Sequence, residues 1–120
     1  MDIADVAEVT AAIDEFGERY LARLASDRER HGWPTRTAAL SVYAAGVFAA
    51  KEAVLKALGG DADRVTWPEI ELYQCARGDW EVTLRGAAAV LAEQANMTTV
   101  SVSVATTDIV ATAVALATTM

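Results

Sequence analysis

The sequence predicts an α+β domain, with long helices first and a mainly antiparallel sheet later. In the first half of the chain, apolar residues recur at steps of three and four, which is typical of amphipathic helices. Beyond Pro68, apolar and polar residues alternate, which is typical of strands. The chain has 120 residues, 53% of them apolar, which is enough for one core and too little for two. We therefore expect residues 1–120 to form a single domain.

The first half predicts two helices joined by a loop. The first helix is predicted from Asp5 to Leu24, and its acidic residues precede its basic ones, an order that suits the helix dipole. The segment from Ala25 to Arg36 is polar and contains a Gly-Trp-Pro run, which predicts a connecting loop. Thr37 is the predicted cap of a second helix, which runs to Leu58 and ends at Gly59 and Gly60. Gly46 is a point at which this second helix could divide.

The second half predicts strands around one short helix. Two alternating runs, one from Ile70 and one from Trp80 to Leu84, lie on either side of an Arg-Gly-Asp turn at 77–79 and predict a hairpin. The Ala-rich segment from Gly86 to Asn96 predicts a helix. Thr98 to Ala105 and Ile109 to Ala117 predict two further strands joined by a turn. The first of these strands places valines on one face and serines on the other.

Composition and charge exclude several classes of function. The 17 acidic residues outnumber the 10 basic ones, giving a net charge of -7, whereas sequence-independent nucleic-acid binding needs a surplus of Lys and Arg. One cysteine and one histidine cannot form an intramolecular disulfide or a Cys/His zinc site. The N-terminus is acidic, unlike a secretory signal. The uncharged stretch at 37–50 is shorter than the roughly 20 residues that span a bilayer. We expect a cytoplasmic protein that binds neither nucleic acid nor membrane.

Three charged residues interrupt the apolar second helix: Lys51, Glu52 and Lys56. One interpretation is a Glu52–Lys56 ion pair at i,i+4 spacing on a solvated helix face. The other is a carboxylate that holds a hard cation beside lysines that face phosphate oxygens, since magnesium sites often use one or two carboxylates plus substrate phosphates. Spacing alone does not choose between these interpretations.

The twelve residues from Phe48 to Gly59, Phe-Ala-Ala-Lys-Glu-Ala-Val-Leu-Lys-Ala-Leu-Gly, resemble the signature of the holo-(acyl carrier protein) synthase family of phosphopantetheinyl transferases. The likeness extends over almost the whole chain. Phe16 to Leu21 is similar to the family's first-helix segment, Trp67 to Glu71 to the strand after the signature helix, and Val100 to Ser103 to the late strand. Met1 to Val6 is similar to the family's opening run, which aligns Asp2 with the family's metal-binding aspartate.

The resemblance implies a small α+β protein that assembles as a homotrimer with clefts between subunits. It implies transfer of 4'-phosphopantetheine from coenzyme A to a serine of an apo acyl carrier protein. By the resemblance, Asp2 and Glu52 ligate Mg²⁺, and Lys56 stabilises charge as the phosphoanhydride breaks. Lys51, Lys56 and Ser103 would contact coenzyme A, and Glu52 and Lys56 would be the catalytic residues.

Several residues depart from the family pattern, and two other functions stay open because of them. Val47 stands where the family has arginine, and Val104 where it has histidine. Glu8 and Glu15 occupy positions where the family presents arginines to the carrier protein. Only one residue precedes Asp2, so the strand that anchors it is expected to be nearly absent. One alternative is a repurposed fold that acts on another acyl or polyketide-like substrate with Glu52 as acid or base. The other is a non-catalytic trimeric subunit.

Overall fold

A computed structural model describes residues 1–59 and 62–120 of the chain. It has the predicted α+β architecture, and its helices and strands are the following, in chain order: β1 (Asp2–Asp5), α1 (Val6–Phe16), α2 (Glu18–Leu24), α3 (Asp27–Arg30), α4 (Thr37–Leu58), β2 (Ile70–Gln74), β3 (Trp80–Leu84), α5 (Gly86–Gln94), β4 (Met97–Thr106) and β5 (Val110–Thr119). Two short 3-10 turns, Ala62–Arg64 and Trp67–Glu69, join α4 to β2. Gly60, predicted to help end α4, lies outside the described residues.

The strands form two sheets, and the larger one supports the site described below. It has the order β1-β5-β4, with both neighbours antiparallel to β5, while β2 and β3 form a separate antiparallel hairpin. The hairpin and the two C-terminal strands were predicted. Alternation along β5 turns Ala111 and Ala113 toward the core, whereas Val114 and Leu116 are exposed. Small inward side chains let α4 lie close to the sheet.

The helix α4 is the centre of the core and is continuous, contrary to the expectation that Gly46 could divide it. A Cβ atom at Gly46 would lie 3.1 Å from Val104 Cγ1, so the glycine permits close approach to β4 rather than a break. By length and composition this 22-residue helix could cross a membrane, with mean hydropathy 1.4. It packs against α1 and all three strands of the larger sheet, as the core helix of a globular domain does.

The predicted N-terminal helix and loop differ from the structure in three places. Gly17, at φ +53°, ends α1 and separates it from α2, so the stripe from Asp5 to Leu24 belongs to two helices. Asp5 is the N-cap of α1, and its carboxylate accepts from Ala7 N at 2.8 Å. The predicted loop contains α3, which Ser26 and Glu29 begin with a reciprocal capping box. The N-cap of α4 is Arg36, not Thr37, and its side chain makes no capping bond.

The N-terminal strand is present, contrary to the expectation that it would be nearly absent. The four residues of β1 pair with β5, and Asp2 lies opposite Ala113. Asp2 is ordered by pairing with a strand residue 111 positions later in the chain, and the sequence around Asp2 alone does not indicate this pairing. Asp2 is therefore held at a defined place beside α4 rather than on a free terminus.

Candidate active site

Two predicted metal ligands come together in one cavity between β1, α1 and α4. Asp2 and Glu52 both line this cavity, whose volume is about 380 Å³. Lys56, one helical turn after Glu52, donates from Nζ to Asp2 Oδ1 at 3.0 Å. Its side chain is 59% exposed, so the ammonium group is also open to solvent and to a ligand. We call this arrangement of Asp2, Glu52 and Lys56 the acidic cavity.

The charges of the acidic cavity favour a cation. The pKa of Glu52 is raised above its usual range, first because burial disfavours the carboxylate and second because the charge of Asp2 repels it. The positive charge of Lys56 opposes this rise without overcoming it. Two carboxylates that repel each other at one cavity form a centre that a divalent cation would neutralise. One interpretation of the sequence was an ion pair between Glu52 and Lys56. In the structure, Lys56 forms its ion pair with Asp2 instead.

The donor set fits Mg²⁺ bound together with a substrate. Within residues 1–59 and 62–120, no three His, Cys, Asp or Glu side chains are grouped closely enough to hold a metal ion by themselves. Mg²⁺ keeps several water molecules and commonly takes one or two protein carboxylates plus phosphate oxygens. Asp2 and Glu52 supply that number of carboxylates. The remaining positions would belong to water and substrate oxygens.

Lys51 is not at the acidic cavity, which corrects the prediction that it faces a phosphate of coenzyme A. Its side chain is 0% exposed. The ammonium donates to Leu24 O at 2.7 Å, Glu29 Oε1 at 2.9 Å and Trp67 O at 3.0 Å. These three acceptors use all three donors of the ammonium. Burial lowers the pKa of Lys51, and the carboxylate of Glu29 counteracts that effect. Lys51 is therefore a structural residue that fixes the inner face of α4.

Two buried glutamates surround Lys51 and were missed by the sequence analysis. Glu29 also accepts from Leu72 N at 3.1 Å, which ties α3 to β2. Glu71, 1% exposed, accepts from Arg85 Nε at 2.7 Å and Ser26 Oγ at 2.9 Å. Burial alone would raise the pKa of Glu71, but these hydrogen bonds and the charge of Arg28 lower it on balance. In the sequence, Glu71 occupies a polar position of an alternating strand, so the pattern gave no sign of burial.

The other predicted contact to coenzyme A, Ser103, lies away from the acidic cavity. It is exposed on the face of the larger sheet that points away from α4, which we call the outer sheet face. Its exposed apolar members are Ile3, Val114 and Leu116. Asp2 is aligned with inward-facing Ala113, so the two predicted ligands occupy opposite faces. Within one chain, Ser103 and Glu52 do not meet.

A second groove, also absent from the sequence prediction, combines aromatic side chains with two arginines. Its volume is about 290 Å³, and we call it the α2 groove. It is lined by the following residues: Phe16, Arg19, Tyr20, Arg23, Leu24, Phe48 and Trp67. The rings of Phe48 and Trp67 pack at 5.6 Å between centroids. Tyr20 and Phe48 line the acidic cavity as well, so the α2 groove adjoins it.

Comparisons with known proteins show the family of the chain and support its fold. The family model of the 4'-phosphopantetheinyl transferase superfamily matches residues 1–114. The holo-[acyl-carrier-protein] synthase of Solidesulfovibrio magneticus is 38% identical over 109 residues, which cover 87% of this chain and 83% of that protein. That of Desulforudis audaxviator is 38% identical over 103 residues, covering 86% of this chain and 78% of that protein.

Solved structures of the same kind of enzyme superpose on nearly the whole chain. The Chronobacterium ammoniagenes enzyme in complex with CoA has a TM-score of 0.82 at 25% identity and covers 99% of this chain and 94% of its own. The Bacillus anthracis enzyme in complex with CoA (3',5'-ADP) has a TM-score of 0.78 at 25% identity, with coverages of 99% and 93%. The chain is therefore a member of the holo-(acyl carrier protein) synthase family within the 4'-phosphopantetheinyl transferase superfamily, and a phosphopantetheinyl transferase by family.

Proposed function

We propose that this protein transfers 4'-phosphopantetheine from coenzyme A to a serine of an apo acyl carrier protein in a magnesium-dependent reaction. The observation that carries the proposal is that Asp2 and Glu52, 50 residues apart in sequence, line one cavity, and that Lys56 donates a hydrogen bond to Asp2 beside it. Family membership supports it, because the relatives named above are holo-[acyl-carrier-protein] synthases and two of the solved structures hold CoA.

The roles of the three residues follow from their chemistry. Asp2 and Glu52 would hold Mg²⁺, which would supply positive charge to offset the negative charge of the phosphoanhydride of coenzyme A. Lys56 faces solvent and can donate to a phosphate oxygen as charge develops on the leaving group. The serine oxygen of the carrier forms the new P–O bond, and the phosphoanhydride bond breaks to release adenosine bisphosphate. The serine proton passes to a carboxylate base.

The α2 groove is the proposed docking place of the carrier protein. Arg19 and Arg23 project from one face of α2, beside exposed aromatic surface and next to the acidic cavity. An acidic helix of a carrier protein would complement this charge and leave its serine near Glu52. The glutamates at 8 and 15 lie on α1, whereas the basic charge of this surface comes from α2.

We further propose a homotrimer that forms through the outer sheet face. Ile3, Val114 and Leu116 are 62%, 48% and 65% exposed, although they are large apolar residues on adjacent strands. A contiguous apolar patch on a sheet is typical of a surface that another subunit covers. In such an assembly Ser103, on the same face, would lie at a subunit boundary. Its contact with coenzyme A stays a prediction.

Intact-mass spectrometry of carrier proteins tests the transfer. Apo acyl carrier proteins incubated with coenzyme A, Mg²⁺ and this protein should gain the mass of one phosphopantetheine group, and chelation with EDTA should stop the gain until Mg²⁺ is restored. Glu52→Gln should reduce the rate at least 100-fold, about 2.7 kcal/mol of transition-state stabilisation. Glu93→Gln, an exposed change on α5, is the matched control and should leave the rate unchanged. No mass gain on any carrier by a folded protein would refute the proposal.

A further inference from the structure

Tyr20 of α2 lies at the junction of the acidic cavity and the α2 groove. Among the described residues, Tyr20 and Phe48 line both, and of these two side chains only that of Tyr20 carries a polar group. Phe48 belongs to α4, and its ring packs on Trp67. In the proposed reaction, the carrier serine arrives from the α2 groove and the phosphoanhydride occupies the acidic cavity. A group at this junction is therefore next to the place where the two substrates react.

The hydroxyl group of Tyr20 is available to a ligand. The side chain is half-buried, and its Oη forms no hydrogen bond within residues 1–59 and 62–120. In the same part of the chain, the buried side-chain atoms without a partner are Trp33 Nε1 and Ser41 Oγ, so the oxygen of Tyr20 is open to solvent. Burial of the ring raises the pKa of Tyr20, which keeps the phenol protonated at physiological pH. Tyr20 thus offers one O–H donor.

The other polar side chains that line the acidic cavity are acceptors. The described lining residues are apolar apart from Tyr20 and four residues with carboxyl groups: Asp2, Asp5, Glu8 and Glu52. Carboxylates accept hydrogen bonds and repel phosphate oxygens. Lys56 brings a positive charge beside the cavity, but Asp2 offsets part of it. A phosphoryl group in this cavity would therefore gain from a neutral donor such as Tyr20.

The chemistry of the transfer favours a phosphoryl oxygen as the acceptor of this hydrogen bond. The serine oxygen attacks as a nucleophile, and a hydrogen bond donated to it would reduce its nucleophilicity. Negative charge is instead spread over the non-bridging oxygens of the transferred phosphoryl group, where a fixed donor stabilises it. A hydrogen bond to a charged oxygen is stronger than one to a neutral oxygen.

We propose that Tyr20 is a further catalytic residue, whose phenol donates a hydrogen bond to a non-bridging oxygen of the phosphoryl group during transfer. The phenol keeps its proton throughout, and the bonds that form and break are those of the transfer itself. The ring of Tyr20 has a separate role as part of the α2 groove, where it contacts the carrier. This inference rests on the transfer reaction proposed above.

Tyr20→Phe tests the role of the hydroxyl group, because it removes one oxygen atom and keeps the ring. In steady-state transfer to an apo acyl carrier protein with coenzyme A and Mg²⁺, kcat should fall at least tenfold, about 1.4 kcal/mol, while KM for both substrates stays within twofold. Tm should change by less than about 2 °C, because the hydroxyl group has no partner in the protein to lose. Tyr73→Phe is the matched control, since Tyr73 is a half-buried residue of β2 that lines neither the acidic cavity nor the α2 groove, and it should keep kcat within twofold.

Tyr20→Leu separates the role of the ring from that of the hydroxyl group. It should lower kcat as Tyr20→Phe does and also raise KM for the carrier about fivefold, because the ring belongs to the α2 groove. A Tyr20→Phe variant with kcat within twofold of the parent value, an equal loss in Tyr73→Phe, or a change confined to KM would overturn the inference and leave the transfer reaction established. A parent protein that modifies no carrier would refute both proposals.

Discussion

At the scale of single residues, Glu52 is expected to lower the stability of the metal-free protein. Its pKa is raised in the folded state by burial and by Asp2, so the carboxylate is less favoured there than in the unfolded chain. The resulting penalty is absent below the unfolded pKa, about 4.3, grows as the pH rises from there to the raised folded pKa, and persists at full size at pH 7. Glu52→Gln removes the charge.

We therefore expect Glu52→Gln to raise Tm at pH 7 by about 1–4 °C while it removes transfer activity. Differential scanning calorimetry of both proteins in EDTA, at pH 7 and at pH 3.5, measures the effect. The gain in Tm should shrink at the lower pH. A decrease of Tm at pH 7, or a gain that does not change with pH, would contradict this account of Glu52.

Gly86 is expected to tolerate substitution less well than Gly59. Its φ is +53°, and a Cβ atom there would collide with the carboxylate of Glu69. That carboxylate accepts from Ala87 N at 2.6 Å and from Thr66 N at 2.7 Å, so it cannot move without losing the caps of two helical turns. Gly86→Ala should cost about 2–4 kcal/mol of unfolding free energy.

The matched control for Gly86→Ala is Gly59→Ala. Gly59 has a similar φ of +62°, but among residues 1–59 and 62–120 no atom lies within 4 Å of the position that a Cβ would take there. Backbone strain alone, about 1–2 kcal/mol, should apply there. Urea denaturation measures the unfolding free energy of both variants. Equal decreases in the two variants would mean that the Glu69 side chain moves aside at little cost.

At the scale of secondary-structure elements, the Lys51–Glu29 pair joins α4, α3 and β2 in the interior. Lys51→Met leaves Glu29 as a buried carboxylate without its cation, and such a loss costs about 3–5 kcal/mol. Adding Glu29→Gln should restore part of that stability, because the amide oxygen can still accept a backbone hydrogen bond. Urea denaturation of the single and double variants measures the coupling. A double variant less stable than Lys51→Met would contradict a stabilising role of the pair.

The helix α2 is proposed to bind the carrier protein through its arginines. Arg23→Glu should raise KM for the apo carrier about tenfold and leave KM for coenzyme A within twofold, since the α2 groove is proposed to meet the carrier alone. Arg77→Glu, in the exposed turn of the hairpin, is a charge-matched control and should change neither value. Equal KM for the carrier in Arg23→Glu and Arg77→Glu would place the docking surface elsewhere.

Helices and strands were predictable where neighbouring residues in the sequence determine them. They were not predictable where they depend on contacts with distant parts of the chain. Periodicity predicted α4 and the hairpin, and glycine at the end of α4 marked its last residue. The break at Gly17 lies inside an unbroken apolar stripe, so spacing alone suggested one helix. The strand β1 depends on pairing with β5, which no short segment contains.

The sequence motif predicted some of the site residues, but it did not show which of its side chains are buried. The signature placed Glu52 and Lys56, but adjacent helix residues point in different directions, and Lys51 turns into the core while Glu52 lines a cavity. Val47, 0% exposed, is likewise a core residue here, where an unpaired arginine would be costly. Burial of this kind is set by the elements that pack on α4, which the motif does not describe.

At the scale of the whole molecule, the outer sheet face determines the proposed assembly. Leu116 is 65% exposed and lies opposite Ser101 in the middle of the β4–β5 pair, so a subunit that packs on this face would cover it. Leu116→Glu places a charge where burial is proposed, and an unpaired buried carboxylate is strongly unfavourable. In the isolated chain the same side chain meets water, so folding should be retained. The substitution therefore separates assembly from folding.

We expect multi-angle light scattering at micromolar concentration to give the mass of three chains for the parent protein and of one chain for Leu116→Glu. Val90→Glu is the matched control, because Val90 is 52% exposed on α5, away from the outer sheet face, and should leave the trimer intact. Transfer activity should fall with the trimer in Leu116→Glu if residues such as Ser103 complete a site at the subunit boundary. A parent protein that is monomeric, or a Leu116→Glu variant that remains trimeric, would mean that this apolar face has another role.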